Sequence, residues 1–192
     1  MERPGAETDS LCIQASLEGD ERAYARLIER YAPCVTAQMR RFTRNPQALD
    51  ELVQEVFVEV YFSLSGFEGR APFLHWVRRI ATRVGYRYWN EQARDRRRKA
   101  ALAAHGDTLR PLSDSPAPSE AAEHLYHLLE QLPPKDRLVL TLYYFDDCDT
   151  QDIAERTGWS RTLVKVRAHR ARRKLRALLE DGGYTSGRNG NA

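Results

Sequence analysis

A strongly basic segment near the end of the chain groups side chains of one chemical type. Between Arg161 and Arg176 there are eight Lys or Arg residues and no acidic residue. Guanidinium groups can form two hydrogen bonds to a guanine edge, and both Lys and Arg bind phosphate oxygens. Most surface helices mix charges of both signs, so this run predicts a nucleic-acid-binding surface. The alternative is a basic solvated helix in an ordinary bundle.

The residues around the start of this segment have the spacing of a helix-turn-helix. A first helix is predicted from Thr150 to Arg156, with Asp149 and Asp152 forming a capping box at its start. Gly158 suits a left-handed turn after that helix, and Ser160 can cap a second helix. The residues predicted to fill the space between the two helices are Ile153, Ala154, Trp159 and Val164.

The second helix of such a unit, predicted here within 149–179, lies in the major groove of DNA. Its polar and basic face supplies the candidate DNA-binding side chains. His169 is open between a DNA contact and an exposed position without a role. The candidates are Arg161, Thr162, Lys165, His169, Arg170, Arg172 and Arg173.

A second basic segment, from Arg78 to Lys99, holds nine basic residues against two acids and lies beside several aromatic residues. Aromatic rings stack on unpaired bases while cations follow the backbone, a combination that suits melting DNA. Arg83 and Arg87 are therefore candidate nucleic-acid contacts. Trp76 could stack on a base, but a core position explains it more simply.

The segment 49–60 predicts an amphipathic helix with one wide apolar stripe and one acidic face. Its polar face carries Asp50, Glu51, Gln54 and Glu55. Like charges repel, so this face does not contact DNA. A protein-binding surface is predicted, with a plain solvated face as the alternative. No nucleophile motif or phosphate-binding loop accompanies these carboxylates, so no catalytic residue is predicted.

Almost every periodic segment of the chain is helical, which predicts an all-α fold. Proline, glycine and serine become frequent after residue 98 and divide the chain into two small helical domains joined by a flexible linker. The predicted parts are a first domain at 11–97, a linker at 98–118, a helix-turn-helix domain at 119–180 and a disordered tail at 181–192.

Composition excludes several classes of protein. The chain of 192 residues is 42% hydrophobic with a net charge of +3, so it can bury a core. Its three cysteines are far apart and form no ligand cluster, so no metal and no cofactor are predicted. The beginning lacks an apolar signal segment, and no run of 18 apolar residues occurs. A cytoplasmic protein is expected.

The order and spacing of several short motifs resemble the extracytoplasmic-function (ECF) group of sigma-70-type RNA polymerase sigma factors, over about residues 11–179. The matching stretches are GDERAY at 19–24, ELVQEVF at 51–57, FEG at 67–69, FLHWVRRIA at 73–81, LPP at 132–134, TQDIA at 150–154 and VKVR at 164–167.

The resemblance implies that the first domain binds core RNA polymerase at its clamp helices and melts the minus-ten promoter element. The second domain, which meets the polymerase flap, reads the minus-thirty-five element. By position, the polar face at residues 50–55 binds polymerase. The implied minus-ten contacts are Phe67, Gly69, Arg70, Arg83 and Arg87. The implied partners are promoter DNA, core polymerase and an anti-sigma factor. The anti-sigma factor is implied as a means of holding the protein at the membrane.

The chain departs from the family pattern at four positions. Glu51 stands where the family usually has Asp, Glu68 where Arg is common, Arg83 where Asn is common and Val166 where Ser is usual. The last three lie near DNA-reading positions, so the promoter sequence stays open. The alternative functions are a stand-alone helix-turn-helix repressor or activator and a nucleic-acid-processing enzyme.

Overall fold

The computed structural model describes residues 6–103 and 120–181, and within these ranges the chain is helical without any strand, as predicted. The helices form two compact units, α1 to α4 and α5 to α8. No helix in the described ranges is long and apolar enough to cross a membrane. The elements are α1 (Ala6–Leu17), α2 (Glu21–Met39), α3 (Pro46–Ser63), a 3-10 turn (Leu64–Gly66), α4 (Phe73–Ala103), α5 (Glu120–Gln131), α6 (Pro134–Tyr144), α7 (Thr150–Thr157) and α8 (Arg161–Asp181).

Two polar caps set the starts of α2 and α3. The Asp20 carboxylate accepts hydrogen bonds from the backbone N–H groups of Arg22 and Ala23, at 2.8 and 3.1 Å. This cap and the positive φ of Gly19 separate α1 from α2. Asn45 caps α3, and Pro46 occupies the first helical turn, where a missing N–H costs nothing.

The core of the first unit lies between α2, α3 and α4, with α1 packed on α2. Asp9 of α1 is buried and contacts the guanidinium of Arg30 and the hydroxyl of Tyr31 on α2. Tyr24 of α2 donates a hydrogen bond to the carbonyl of Phe57 on α3, and burial raises the pKa of the Tyr24 hydroxyl. The fully buried aliphatic side chains here include Leu27, Val35, Val56, Val60, Val77, Ile80 and Val84.

The longest helix, α4, packs closely against the end of α2 at Gly85. An added Cβ at Gly85 would lie 2.5 Å from the ring of Phe42. That ring is held by Trp89, whose ring centroid is 4.4 Å away and whose indole N–H donates to the Phe42 carbonyl at 2.8 Å. Only glycine allows this approach of helix to ring.

The helix α4 also continues further than predicted. It ends at Ala103, so the residues from 98 to 103, which were predicted to begin the flexible linker, are helical. Lys and Arg are compatible with a helix, and the run 94–101 contains no Gly or Pro to end it. The remainder of the predicted linker and the predicted tail after residue 181 lie outside the described residues.

The second unit is built on α6, which is buried along almost its whole length. Pro133 is the N-cap of α6, and Pro134 occupies the first helical position, where a missing N–H costs nothing. A cluster of Leu129, Leu132, Leu140 and Ala171 joins α5, α6 and α8, with Leu175 and Leu178 packed against it. The apolar face of α8 is therefore turned towards α5 and α6, which leaves its polar face exposed.

Replacing Gly85 with alanine is expected to destabilise the first unit by about 1–3 kcal/mol, because the new methyl group meets the buried Phe42 ring. Chemical denaturation of the full chain measures this loss. The control is Gly66→Ala, since a Cβ at Gly66 meets no atom within 4 Å. Equal stability of the two variants would contradict the packing described here.

Candidate nucleic-acid interface

Hydrogen bonds that the sequence predicts fix the start of α7 and the turn between α7 and α8. The backbone N–H groups of Gln151 and Asp152 donate to Asp149 at 2.6 and 2.8 Å, and the N–H of Asp149 donates to the Asp152 carboxylate at 3.0 Å. Gly158 adopts a left-handed conformation with φ 74°. Ser160 accepts a hydrogen bond from the N–H of Leu163 at 3.2 Å. The predicted helix-turn-helix geometry is therefore present.

Small and branched apolar side chains hold the two helices together. Ile153 of α7 and Val164 of α8 are fully buried, and Ala168 is 2% exposed. Trp159, in the turn, and Ala154 are half-buried. These contacts fix the direction of α8 with respect to α7.

A buried carboxylate fixes α8 against α6 as well. Asp136, in the first turn of α6, is 0% exposed. It contacts Arg167 at 3.4 Å and Lys174 at 2.5 Å, both on α8. Two of the eight basic residues therefore serve the fold. Arg167 and Lys174 are seven residues apart, in register with the buried face of α8. This spacing was the sequence signal that could have separated these two residues from the DNA candidates.

The seven DNA candidates of α8 are all exposed. On the helix surface Thr162, His169 and Arg173 lie opposite the buried face, while Arg170 and Arg172 lie towards opposite edges. Arg172 donates a hydrogen bond to the Tyr144 hydroxyl at 2.9 Å, and its guanidinium lies 5.5 Å from the ring centre of Tyr143. This contact orients Arg172 along the end of α6. The arrangement presents a cationic face that suits the groove of a duplex.

The loop after α3 brings three predicted minus-ten residues together. Phe67 is half-buried, with its ring 5.2 Å from that of Phe73 and 5.4 Å from that of Trp76. Gly69 has a left-handed backbone with φ 69°, and Arg70 is exposed and paired with Glu68 at 2.5 Å. Phe67 and Trp76 thus belong to an aromatic cluster at the start of α4.

The two arginines of α4 predicted to contact DNA have different surroundings. Arg83 is exposed. Arg87 is half-buried, and its guanidinium contacts Glu55 at 2.7 Å and Glu59 at 2.5 Å on α3. Burial lowers the pKa of Arg87, but the hydrogen bonds that it donates to Glu59 and Glu55 outweigh this effect, so the net pKa is raised. The guanidinium of Arg87 thus bridges α4 to α3, and its contact with nucleic acid stays a prediction.

The acidic face of α3 is exposed at all four predicted positions, Asp50, Glu51, Gln54 and Glu55. Sequence reasoning missed the apolar side chains that continue this face. Val58 and Phe62 follow Gln54 at successive four-residue steps and are 52% and 78% exposed. Exposed apolar groups beside carboxylates are typical of a protein-binding surface.

The described residues contain no group of three or more His, Cys, Asp or Glu side chains that could hold a metal ion. Cys12 and Cys148 are buried, and Cys34 is half-buried.

Comparison with known proteins identifies matches in both units. The family model of Sigma-70 region 2 matches residues 27–95, and that of Sigma-70, region 4 matches residues 122–175. The chain is 30% identical over 164 residues to the RNA polymerase sigma factor CarQ of Myxococcus xanthus, covering 84% of this chain and 92% of CarQ. It is 28% identical to the ECF RNA polymerase sigma-E factor of Haemophilus influenzae, covering 90% and 96%.

Solved structures share the fold. CnrH, in complex with the cytosolic domain of CnrY, aligns with a TM-score of 0.59 and 24% identity, covering 91% of this chain and 98% of CnrH. The sigma factor RpoE of Bartonella quintana, in complex with the anti-sigma factor NepR, aligns with a TM-score of 0.58 and 20% identity, covering 82% and 96%.

Asp136→Asn is expected to destabilise the second unit by about 1–3 kcal/mol, because it removes the charge that neutralises Arg167 and Lys174. The loss stays below that of a fully buried pair, since these cations are 28% and 48% exposed. Hydrogen exchange should accelerate in α6 and α8 and remain unchanged in α1 to α4. Glu155→Gln, at an exposed acid of α7, is the matched control. Unchanged protection of α8 would show that Asp136 does not hold it.

Proposed function

Because the chain belongs to the ECF group of the sigma-70 family of RNA polymerase sigma factors, we propose that its first unit binds core polymerase and the minus-ten element while its second unit reads the minus-thirty-five element. A sigma factor directs transcription initiation at a specific set of promoters. The assignment of residues to these tasks follows from charge, exposure and position.

The observation that carries the assignment is a pair of exposed surfaces of opposite charge, one on α8 of the second unit and one on α3 of the first. The exposed face of α8 is cationic, and that of α3 is acidic with an apolar continuation. A stand-alone helix-turn-helix repressor needs the first of these surfaces but has no use for the second. A promoter-specificity subunit needs both, because it binds DNA and a large protein at once.

The polymerase surface of the first unit comprises Asp50, Glu51, Gln54 and Glu55, and we extend it along α3 to Val58 and Phe62. The carboxylates orient the approach of a basic partner, and the exposed aromatic ring supplies apolar area that is buried on binding. The partner elements are the polymerase clamp helices for this unit and the polymerase flap for the second.

The minus-ten surface comprises the loop residues Phe67, Gly69 and Arg70 together with Arg83 and Arg87 of α4. Phe67 lies in a loop in which Gly69 has a left-handed backbone conformation. An aromatic ring in such a loop can stack on a base that has flipped out of the DNA helix. The two arginines lie along α4 and neutralise phosphates of the melted strand. Arg87 takes part in this contact when a phosphate replaces its carboxylate partners.

The minus-thirty-five surface is the exposed face of α8. Side chains in the first half of α8, up to Arg170, lie closest to the base edges of the major groove, and those further along contact phosphates. A single helix-turn-helix with few contacts binds weakly and with a steep dependence on salt. Useful promoter recognition therefore depends on core polymerase, which holds both units on one DNA so that the second contact becomes intramolecular.

Control by an anti-sigma factor is part of the proposal. The related folds of CnrH and RpoE were solved with bound protein partners, and RpoE's partner is an anti-sigma factor. The acidic and apolar face of α3 suits such a partner as well as it suits polymerase, so the two would compete. We place the protein in the cytoplasm, where polymerase and DNA are found, or at the membrane through its anti-sigma factor. The protein acts by binding and catalyses no reaction itself.

Binding to core polymerase and promoter-specific run-off transcription from a genomic fragment library test this function together. The wild-type chain should bind core enzyme and direct initiation at a defined set of promoters. Glu51→Lys should weaken core binding by about tenfold, because it places like charges together across the interface. Glu29→Lys, at an exposed acid of α2, should bind as the wild type does.

Failure of the wild-type chain to bind core enzyme, combined with tight binding to duplex DNA alone, would refute the sigma function in favour of a stand-alone regulator. Normal core binding by Glu51→Lys would show that polymerase uses another face.

Arg170→Ala is expected to weaken initiation at promoters that depend on the minus-thirty-five element by about tenfold, the loss of one good base contact. Core binding should not change. Arg176→Ala removes the same charge nearly two turns further along α8 and should have a smaller effect that does not depend on sequence. Equal losses from both variants, or an equal loss on a scrambled upstream element, would contradict base reading by Arg170.

A further inference from the structure

The helix α4 carries a line of arginines that continues far past the predicted minus-ten contacts. With about 100° between successive residues, Arg79, Arg83, Arg94 and Arg97 fall within an arc of about 60° on the helix surface. All four side chains are exposed. We call this line the α4 arginine stripe. At about 1.5 Å per residue it extends for about 27 Å.

The second half of the stripe stands clear of the core of its unit. Every residue from 94 to 101 is exposed, so this part of α4 buries nothing that would hold it helical. Among residues 73–101 of α4, Trp89 is the last buried one. The segment therefore has no packing function within the first unit.

Stability of the helix does not explain the stripe. Cations favour a helix end when they lie in its last turn, and the last turn of α4 contains no basic residue. Arg94 and Arg97 are three residues apart, and Arg79 and Arg83 are four apart, so they repel one another. The acids of this segment, Glu91 and Asp95, lie outside the arc, and Asp95 pairs with Arg98 at 3.2 Å.

We propose that Arg94 and Arg97 bind the phosphate backbone of duplex DNA upstream of the minus-ten element. This proposal rests on the proposed promoter function, since that function places Arg83 at the minus-ten element. From Arg83 the stripe continues towards the end of α4, and from there the chain leads to the unit that reads the upstream element. The stripe spans a length that holds about eight phosphates of one strand.

The ligand is the sugar-phosphate backbone rather than the bases. The stripe lies along one side of α4 in single file, which suits a line of phosphates. It carries no acid or amide that would discriminate between bases, apart from Asn90, whose side-chain N–H donates to the Tyr86 carbonyl at 2.8 Å. The contact should therefore be independent of spacer sequence and sensitive to salt.

The test uses holoenzyme assembled from core polymerase and the full chain, on two DNA probes that share one minus-ten element. The long probe has duplex DNA through the upstream element, and the short probe ends just above the minus-ten element. The variant Arg94→Gln/Arg97→Gln is compared with Arg96→Gln/Lys99→Gln. Both remove two positive charges from the same exposed segment, but Arg96 and Lys99 lie about 100° or more away from the stripe.

The stripe variant should bind the long probe about tenfold more weakly near physiological salt, and its log–log salt slope should be smaller by about two. On the short probe it should match the wild type. The Arg96→Gln/Lys99→Gln control should match the wild type on both probes, and Arg94→Lys/Arg97→Lys should keep the wild-type slope.

Equal losses from the two glutamine variants would overturn the proposal, because they would indicate a general charge effect. Equal losses on the two probes, or no loss on either, would overturn it as well. If the stripe variant lost affinity for core enzyme in the absence of DNA, the stripe would be assigned to polymerase binding instead. Failure of the wild-type holoenzyme to initiate at any promoter is a separate result, which would refute the function itself.

Discussion

The close packing of α4 against α2 and α3 is the constraint on which the first unit depends. The helix approaches near enough for Gly85 to touch the Phe42 ring, and Trp89 closes the contact from the next turn. Because α4 is one continuous helix, this packing fixes the direction of every side chain along it. The positions of Arg83 and of the exposed end of α4 relative to the acidic face of α3 follow from the core. The DNA and polymerase surfaces of this unit are thus set by apolar contacts that touch neither ligand.

In the second unit the corresponding constraint is electrostatic. Burying the Asp136 carboxylate costs desolvation energy, which its two cationic partners offset only in part, so the cluster adds little to net stability. The cluster instead fixes how α8 is rotated about its own axis. Apolar contacts are non-directional, and two of the three buried residues of α8 are the small Ala168 and Ala171. The paired charges at Arg167 and Lys174 select one rotation, and that rotation directs the remaining basic side chains outwards.

Local features of both units were predictable from the sequence because they depend on residues close together in the chain. The capping box at Asp149, the left-handed Gly158 and the exposure of the α8 candidates all follow from periodicity and turn chemistry. Contacts between distant residues were not predictable in the same way. Asp136 and Arg167 are 31 positions apart, and Glu55 and Arg87 are 32 apart, so their pairing depends on how whole helices dock. Proline and serine further along also placed the start of the predicted linker too early, because the Lys and Ala residues from 99 to 103 continue the helix.

The bridge from Arg87 to Glu55 and Glu59 is compatible with a role in binding DNA. All three side chains are between 31% and 46% exposed, and ion pairs of this kind contribute only about 0–1 kcal/mol in salt. A phosphate oxygen can therefore replace a carboxylate at small cost, whereas the fully buried Asp136 would be left without compensation of its charge if Arg167 and Lys174 left it. Solvent access to the acidic partner thus separates the basic residues into two groups. Those paired with exposed acids remain available to a polyanion, and those paired with a buried acid belong to the fold.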